Sequence, residues 1–140
     1  MANGNVQNKG IVEYPRIHSG IPDFEFSKVW MVFDTLFVCC STMKEWPAWV
    51  NATIFDQIRR LYDESSRLNY HTDVICRLRG RPPLRHIISR FEAKARGTLG
   101  DKPKLHAYSA QDTTLAAMLA AVGIYPKQFP DYSSAVMLVV

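Results

Sequence analysis

The residues best suited to chemistry lie in the segment 105–115, Leu-His-Ala-Tyr-Ser-Ala-Gln-Asp-Thr-Thr-Leu. Its apolar start predicts a short strand over 105–109, and the residues that follow predict a helix from about 113 to 122, ended by Gly123. Gln111 and Asp112 therefore stand at a strand-to-helix junction, where open α/β folds usually hold their ligands. Asp112 is either the N-cap of the helix or a general acid facing a ligand above the helix N-terminus.

The elements around this junction predict a strand–helix–strand unit. Residues 135–140 form a continuous apolar run, which is typical of a strand buried on both faces. Two strands joined by a helix are expected to be parallel, with a right-handed crossover. Two strands alone make a poor independent sheet, so we expect the chain to be part of something larger.

The part of the chain before residue 76 favours helices. Apolar residues from Phe26 to Cys40 have helical spacing, and a second stripe follows from Ile54 to Leu68. The triplet 51–53, Asn-Ala-Thr, is both a glycosylation sequon and a favourable helix start, and Thr53 with Asp56 resembles a capping box. The sequence predicts a polar arm over 1–23 with little regular structure, a helical segment over 24–75 and an α/β segment over 76–140.

The α/β segment opens with basic residues. Residues 77–83, Arg-Leu-Arg-Gly-Arg-Pro-Pro, predict a turn-rich loop, followed by a helix over 84–95 with Gly97 in its C-cap region. Seven basic side chains fall within twenty residues: Arg77, Arg79, Arg81, Arg85, Arg90, Lys94 and Arg96. They form either a solvated helix face or the binding surface for a local anionic partner.

Composition places the chain among ordinary soluble proteins. Its 140 residues are 47% hydrophobic and 21% charged, with a net charge of +4. Cys39, Cys40 and Cys76 lack zinc-site spacing, so we expect buried thiols, with a bridge through Cys76 as the alternative. We expect no membrane span, because the apolar run 29–40 is shorter than the roughly twenty residues that a bilayer requires. The N-terminus carries no pattern of a secretory signal.

Several motifs in order resemble one enzyme family. These are residues 34–39 (Asp-Thr-Leu-Phe-Val-Cys), 46–49 (Trp-Pro-Ala-Trp), 77–80 (Arg-Leu-Arg-Gly), 107–114 (Ala-Tyr-Ser-Ala-Gln-Asp-Thr-Thr) and 129–135 (Phe-Pro-Asp-Tyr-Ser-Ser-Ala). Together they resemble the C-terminal portion of the histidine acid phosphatases, the prostatic and lysosomal type, and most of all the nematode members. The resemblance implies an α/β fold, namely the C-terminal part of a phosphoglycerate-mutase-like three-layer fold, with helices from an inserted helical lobe.

The resemblance also implies an activity, which is hydrolysis of phosphate monoesters at acid pH through a phosphohistidine. Asp112 matches the family's proton donor, and Gln111 takes the place of a phosphate-binding histidine. The family's nucleophile motif, Arg-His-Gly-x-Arg-x-Pro, does not occur in these 140 residues. The resemblance implies no cofactor and no metal. Many members have a disulfide cysteine where Ala135 stands, and Cys39 or Cys40 is a candidate for its former partner.

These observations leave three interpretations. The first is a truncated family member that does not hydrolyse phosphate monoesters alone. The second is a non-catalytic phosphate- or protein-binding module that uses Gln111, the helix N-terminus and the cluster from Arg77 to Arg90. The third is an incomplete product without independent function. The expected ligand is phosphate or a phosphate monoester. A protein partner or homodimer stays open, and no nucleic acid is expected. The family is secreted or lysosomal, but the compartment of this chain stays open.

Overall fold

A computed structural model describes residues 4–139, with side chains described from residue 10 onward. Within this range the chain forms five α-helices and one short 3-10 helix. The chain divides into two compact units, Met1–Leu68 and Asn69–Val140. The predicted division into segments 1–23, 24–75 and 76–140 stays a prediction.

The first unit is built from α1 (Gly4–His18), the 3-10 helix (Phe26–Lys28), α2 (Val29–Ser41) and α3 (Ala52–Leu68). Its core lies between α2 and α3. Val29, Phe33 and Leu36 recur at helical spacing on one face of α2 and are almost fully buried, as are Ile58 and Leu61 of α3. The two amphipathic helices predicted here from apolar spacing are therefore present.

Helix α1 contradicts the expectation of little regular structure over residues 1–23; residues 1–3 lie outside the described range. Gly10 and Pro15 made the segment look irregular, yet both lie inside the helix. Ile11 and Val12 pack against the core of this unit, and Pro15 is fully buried. Tertiary burial of one helix face thus outweighs the low helix propensity of glycine and proline.

Helix α3 begins at the predicted sequon, although Asn51 rather than Thr53 caps it. The Asn51 side-chain oxygen accepts a 2.9 Å hydrogen bond from the amide of Ile54. Because Ala52 is already the first helical residue, Thr53 and Asp56 lie two positions too far along the chain to form the predicted capping box. The capping role predicted for the 51–53 triplet is confirmed for Asn51.

The second unit consists of α4 (Asp73–Ala95) packed against α5 (Asp112–Ala121). Gly80 of α4 is buried at the contact with Ala117 and Ala121 of α5. A Cβ atom at position 80 would overlap the Ala117 carbonyl oxygen and lie 2.6 Å from the Ala121 Cβ. The missing side chain therefore permits the close approach of the two helices.

Helix α4 also overturns the predicted basic loop over 77–83. The helix continues through Pro82 and Pro83, whose missing amide hydrogens leave the carbonyls of Leu78 and Arg79 without their usual helical donors. Gly80, which lies just before the two prolines, packs closely against α5 and holds this part of α4 in place. The end of α4 follows the prediction, with Arg96 as C-cap and Gly97 at a φ of +71°.

The predicted α/β fold class is wrong for residues 4–139, which contain no strand. Residues 105–109 and 135–139 adopt neither helix nor ladder, and Val140 lies outside the described residues. Leu105, Met137 and Val139 are 80%, 87% and 94% exposed, so these apolar runs are not buried in a sheet. Apolar runs become strands only when neighbouring backbone satisfies their hydrogen bonds, and these two runs have no such ladder. Neither the strand–helix–strand unit nor the three-layer fold is observed.

Two smaller expectations concern membrane spans and cysteines. No helix within residues 4–139 is both long enough and apolar enough to cross a bilayer. All three cysteines carry free thiols, with Cys40 exposed and Cys39 and Cys76 half-buried. The thiol state is the one expected, whereas the expected burial is wrong for Cys40.

Candidate functional site

The start of α5 brings Gln111 and Asp112 to the helix N-terminus that the sequence predicts. Gln111 occupies the N-cap position in extended conformation, with φ −88° and ψ 160°, but its side chain makes no capping hydrogen bond. Asp112 is the first helical residue, and both side chains are exposed. Asp112 is therefore not the N-cap, and Gln111 takes that place.

Asp112 interacts with the helix that it begins. Its carboxylate accepts a 2.6 Å hydrogen bond from the amide of Thr113. The amides of Thr114 and Leu115 bond to the Gln111 carbonyl at 2.9 and 3.1 Å. Three of the first four amides of α5 are thus hydrogen-bonded within the helix start. An anionic ligand at this end must compete with the Asp112 carboxylate for the Thr113 amide.

Tyr70 is the buried side chain that supports this helix start. Its hydroxyl donates a 3.0 Å hydrogen bond to the Thr113 carbonyl, and only 8% of the residue is exposed. The Arg79 guanidinium carbon lies 5.6 Å from the centre of the Tyr70 ring, within cation–π range. The Cys76 thiol donates a 3.2 Å hydrogen bond to the Tyr70 carbonyl. We refer to Tyr70, Cys76, Arg79 and Asp112 as the Tyr70 cluster.

Electrostatics link the members of the Tyr70 cluster. Burial raises the pKa of the Tyr70 hydroxyl above its ordinary value. Arg79 opposes this shift through a hydrogen bond and its positive charge, whereas Asp112 and Cys76 add to it. The Tyr70 hydroxyl therefore remains a hydrogen-bond donor under neutral and acidic conditions. Arg79 and Asp112, of opposite charge, both act on this one hydroxyl.

The sequence did not single out Tyr70 or Cys76 as site residues. Tyr70 meets Thr113 across 43 positions of the chain, and no local spacing reports such a contact. Arg79 belonged to the predicted basic cluster, and the members of that cluster have different neighbours in the structure. Arg79 lies beside Tyr70, whereas Arg90 lies beside His86 and His106. Over residues 4–139 no group of three or more histidine, cysteine or acidic side chains is arranged to hold a metal ion.

Comparison with known proteins finds relatives that match most of this chain. The chain is 41% identical over 118 residues to a protein named Putative acid phosphatase 5 from Caenorhabditis elegans, covering 84% of this chain and 28% of the relative. It is 33% and 30% identical over 135 residues to the lysosomal acid phosphatases of Bos taurus and Homo sapiens, covering 94% of this chain and 31% of each relative. The chain is related to the acid phosphatases.

The relationship to the acid phosphatases confirms the resemblance carried by the sequence motifs. The chain spans less than a third of the length of the curated relatives that it matches. No family model matches the sequence, and no solved structure matches it. The relationship therefore rests on whole-sequence identity and on the ordered motifs, whereas the expected α/β fold is not seen in residues 4–139 of this acid phosphatase relative.

Proposed function

We propose that these 140 residues form the leaving-group side of a phosphate monoester site, with Asp112 as the proton donor. The observation that carries the proposal is the position of Asp112, which is exposed at the first residue of α5 in a chain related to acid phosphatases. When the ester bond breaks, the leaving oxygen gains negative charge, and proton transfer from a nearby carboxylic acid releases it as an alcohol. An exposed carboxyl group at a helix start can reach a ligand from solvent.

Arg79 supplies the positive charge in this proposal. It lies beside Tyr70, whose hydroxyl is anchored to the backbone of the residue after Asp112. A guanidinium group binds phosphate oxygens through paired N–H donors, and the N-terminus of α5 adds a favourable dipole. The Asp112 carboxylate repels a phosphate dianion when it is ionised. The neutral acid form removes this repulsion and carries the proton that the leaving oxygen needs.

Gln111 weakens the proposed site. Its side chain makes no capping bond, and its amide group can donate a neutral hydrogen bond to a phosphate oxygen. A histidine at this position could become cationic at acid pH, and charge-assisted hydrogen bonds are about twice as strong as neutral ones. We therefore expect Gln111→His to strengthen phosphate binding at acid pH.

The 140 residues contain no Arg-His-Gly-x-Arg-x-Pro segment to act as a nucleophile. Covalent catalysis divides one difficult displacement into two easier ones, and an acid alone does not provide this route. We propose that these residues by themselves do not turn over phosphate monoesters. The purified chain should not release chromophore from an aryl phosphate at about pH 5. Turnover that disappears in Asp112→Asn would contradict this part of the proposal and support the role of Asp112.

Binding is tested separately from turnover. Inorganic phosphate in the millimolar range should raise the melting temperature, because a ligand that binds only the folded state stabilises it. The rise should shrink in Arg79→Gln and persist in Arg85→Gln, which removes the same charge from another exposed position of α4. The absence of any rise in the wild-type chain would contradict the phosphate site. If the rise in melting temperature shrank equally in both arginine variants, it would reflect the overall positive charge of the chain and not a site at Arg79.

A second candidate function is a non-catalytic phosphate-binding module. The observation that favours it is Gln111, a neutral N-cap residue of α5 whose side chain makes no capping hydrogen bond and which takes the place of the family's phosphate-binding histidine. This candidate shares the binding prediction but not the catalytic one. Fusion of these residues to an upstream segment carrying the nucleophile motif separates the two: activity that requires Asp112 supports the catalytic role, whereas phosphate binding without activity supports the module.

A further inference from the structure

The second unit contains a cavity that does not involve Gln111 or Asp112. It has a volume of about 820 Å³ and lies between the second half of α4 and two non-helical segments, 99–108 and 136–138. Cavities of this size are typical of small-molecule sites, which range from about 300 to 1,000 Å³. None of the four residues of the Tyr70 cluster lines it.

Arg90 is the best-connected polar side chain in the lining of the cavity. The Arg90 Nε donates a 3.4 Å hydrogen bond to the His86 Nε2, and its Nη1 lies 3.5 Å from the His106 Nε2. The ring of Tyr108 meets the His86 ring edge-on, with 5.4 Å between ring centres. The guanidinium is thus held between two imidazoles from α4 and from the segment after it, although both contacts are long. The planar group therefore retains donor capacity toward a ligand.

The cavity carries an excess of positive charge. Lys94, Lys102 and Lys104 line it together with Arg90, and Asp101 is the single acidic residue in its lining. Within residues 4–139, none of these four cations forms an ion pair with a carboxylate. By contrast, Arg96 near the end of α4 pairs with Glu92 at 3.3 Å. Uncompensated cations around a concave surface create a field that attracts anions.

Apolar side chains also line the cavity, and we call them its apolar wall. These side chains come from α4, from segment 99–108 and from segment 136–138: Ile87, Phe91, Leu99, Leu105, Val136 and Leu138. An inorganic anion bound at Arg90 would leave the side chains of this apolar wall exposed to solvent. A ligand that carries an apolar body behind its anionic group would cover the wall and gain free energy from its burial.

We propose that this cavity binds an organic anion with an apolar body. The anionic group lies against Arg90 and the three lysines, and the body lies against the apolar wall. The binding is reversible and involves no covalent step. It is independent of the proposed phosphate site, because the two share no lining residue. The failure of one proposal therefore leaves the other intact.

The test measures the affinity of the whole 140-residue chain for three probes by isothermal titration calorimetry. The probes carry an anionic group, an apolar body, or both. Naphthalene-1-sulfonate carries both the anion and the apolar body, inorganic sulfate carries the anion alone, and 1-naphthalenemethanol carries the apolar body alone. We expect naphthalene-1-sulfonate to bind at least about tenfold more tightly than either fragment, since both parts of the site contribute. Equal affinity for the sulfonate and the neutral alcohol would overturn the proposal, as would no binding of the sulfonate.

Variants locate the bound probe. Arg90→Gln should weaken naphthalene-1-sulfonate binding by about tenfold, since it replaces charge-assisted hydrogen bonds with neutral ones. Arg96→Gln removes the same charge near the end of the same helix, outside the cavity lining, and should leave the affinity unchanged. Equal weakening in both variants would overturn the proposal. His106→Gln provides a second variant if Arg90→Gln does not fold, and unchanged binding in it would overturn the assignment of the anionic group to this cluster.

Discussion

The Tyr70 hydroxyl donates its hydrogen bond to the Thr113 carbonyl over 3.0 Å, joining the residues before α4 to the first turn of α5. This bond lies one residue from Asp112, so the position of the proposed proton donor depends on a tyrosine far away in the sequence. The Arg79 guanidinium lies over the ring of the same side chain. The stability of the second unit and the geometry of its candidate site therefore share one side chain.

The first prediction removes this hydroxyl. Tyr70→Phe should lower the free energy of unfolding by about 1 kcal/mol, since it breaks a largely buried hydrogen bond and keeps the ring in place. Urea unfolding followed by circular dichroism measures the change. Tyr108→Phe is the control, because Tyr108 is half-exposed and keeps its ring contact with His86. An equal loss of unfolding free energy in both variants would show that the hydrogen bond to Thr113 does not stabilise the chain.

The second prediction concerns alkaline pH. Burial raises the pKa of Tyr70 in the folded state, whereas an unfolded tyrosine titrates near 10. The folded chain then holds this proton more tightly than the unfolded chain does. The protonated Tyr70 hydroxyl contributes its full share of the folding stability below about pH 10, and this contribution is lost as the pH rises through the pKa of Tyr70 in the folded chain. Wild-type stability should thus fall more steeply than that of Tyr70→Phe above about pH 10, and parallel curves would contradict the shift.

The third prediction tests the contact between α4 and α5. Gly80→Ala should destabilise the chain by about 1–3 kcal/mol, because the added Cβ meets the Ala117 carbonyl oxygen and the Ala121 side chain. Gly10→Ala is the matched control. Gly10 lies inside α1 with open space around a Cβ, so alanine there should stabilise by about 0.5–1 kcal/mol. If Gly80→Ala also stabilised the chain, the close helix contact would be wrong.

The fourth prediction tests the start of α3. Asn51→Ala should cost about 1 kcal/mol because the Ile54 amide loses its side-chain acceptor. Asn51→Asp should retain the cap, since a carboxylate accepts the same bond and favours the positive end of the helix dipole. Thr53→Ala should change the unfolding free energy by less than about 0.5 kcal/mol. A larger loss of unfolding free energy for Thr53→Ala than for Asn51→Ala would favour the capping box over 53–56 instead.

Local signals in the sequence were sufficient for several elements. The apolar stripes of α2 and α3, the cap at Asn51 and the glycine beyond the end of α4 depend on residues a few positions apart. The motif that surrounds Gln111 and Asp112 identified the relationship to the acid phosphatases and placed both residues at a helix start. Periodicity, capping and motif identity are carried by short stretches of chain, and for this reason the sequence alone was enough.

Contacts between distant residues settled the remaining features. Pro15 and Pro82 to Pro83 lie inside helices because those helices pack against others, which local propensity does not record. The apolar runs at 105–109 and 135–139 have strand composition, but a strand also requires neighbouring backbone, and residues 4–139 provide none for them. The meeting of Tyr70 with Thr113 and of Arg90 with His106 depends on how α4 lies against its neighbours. A sequence states which groups are available, whereas the free energy of packing decides which of them meet.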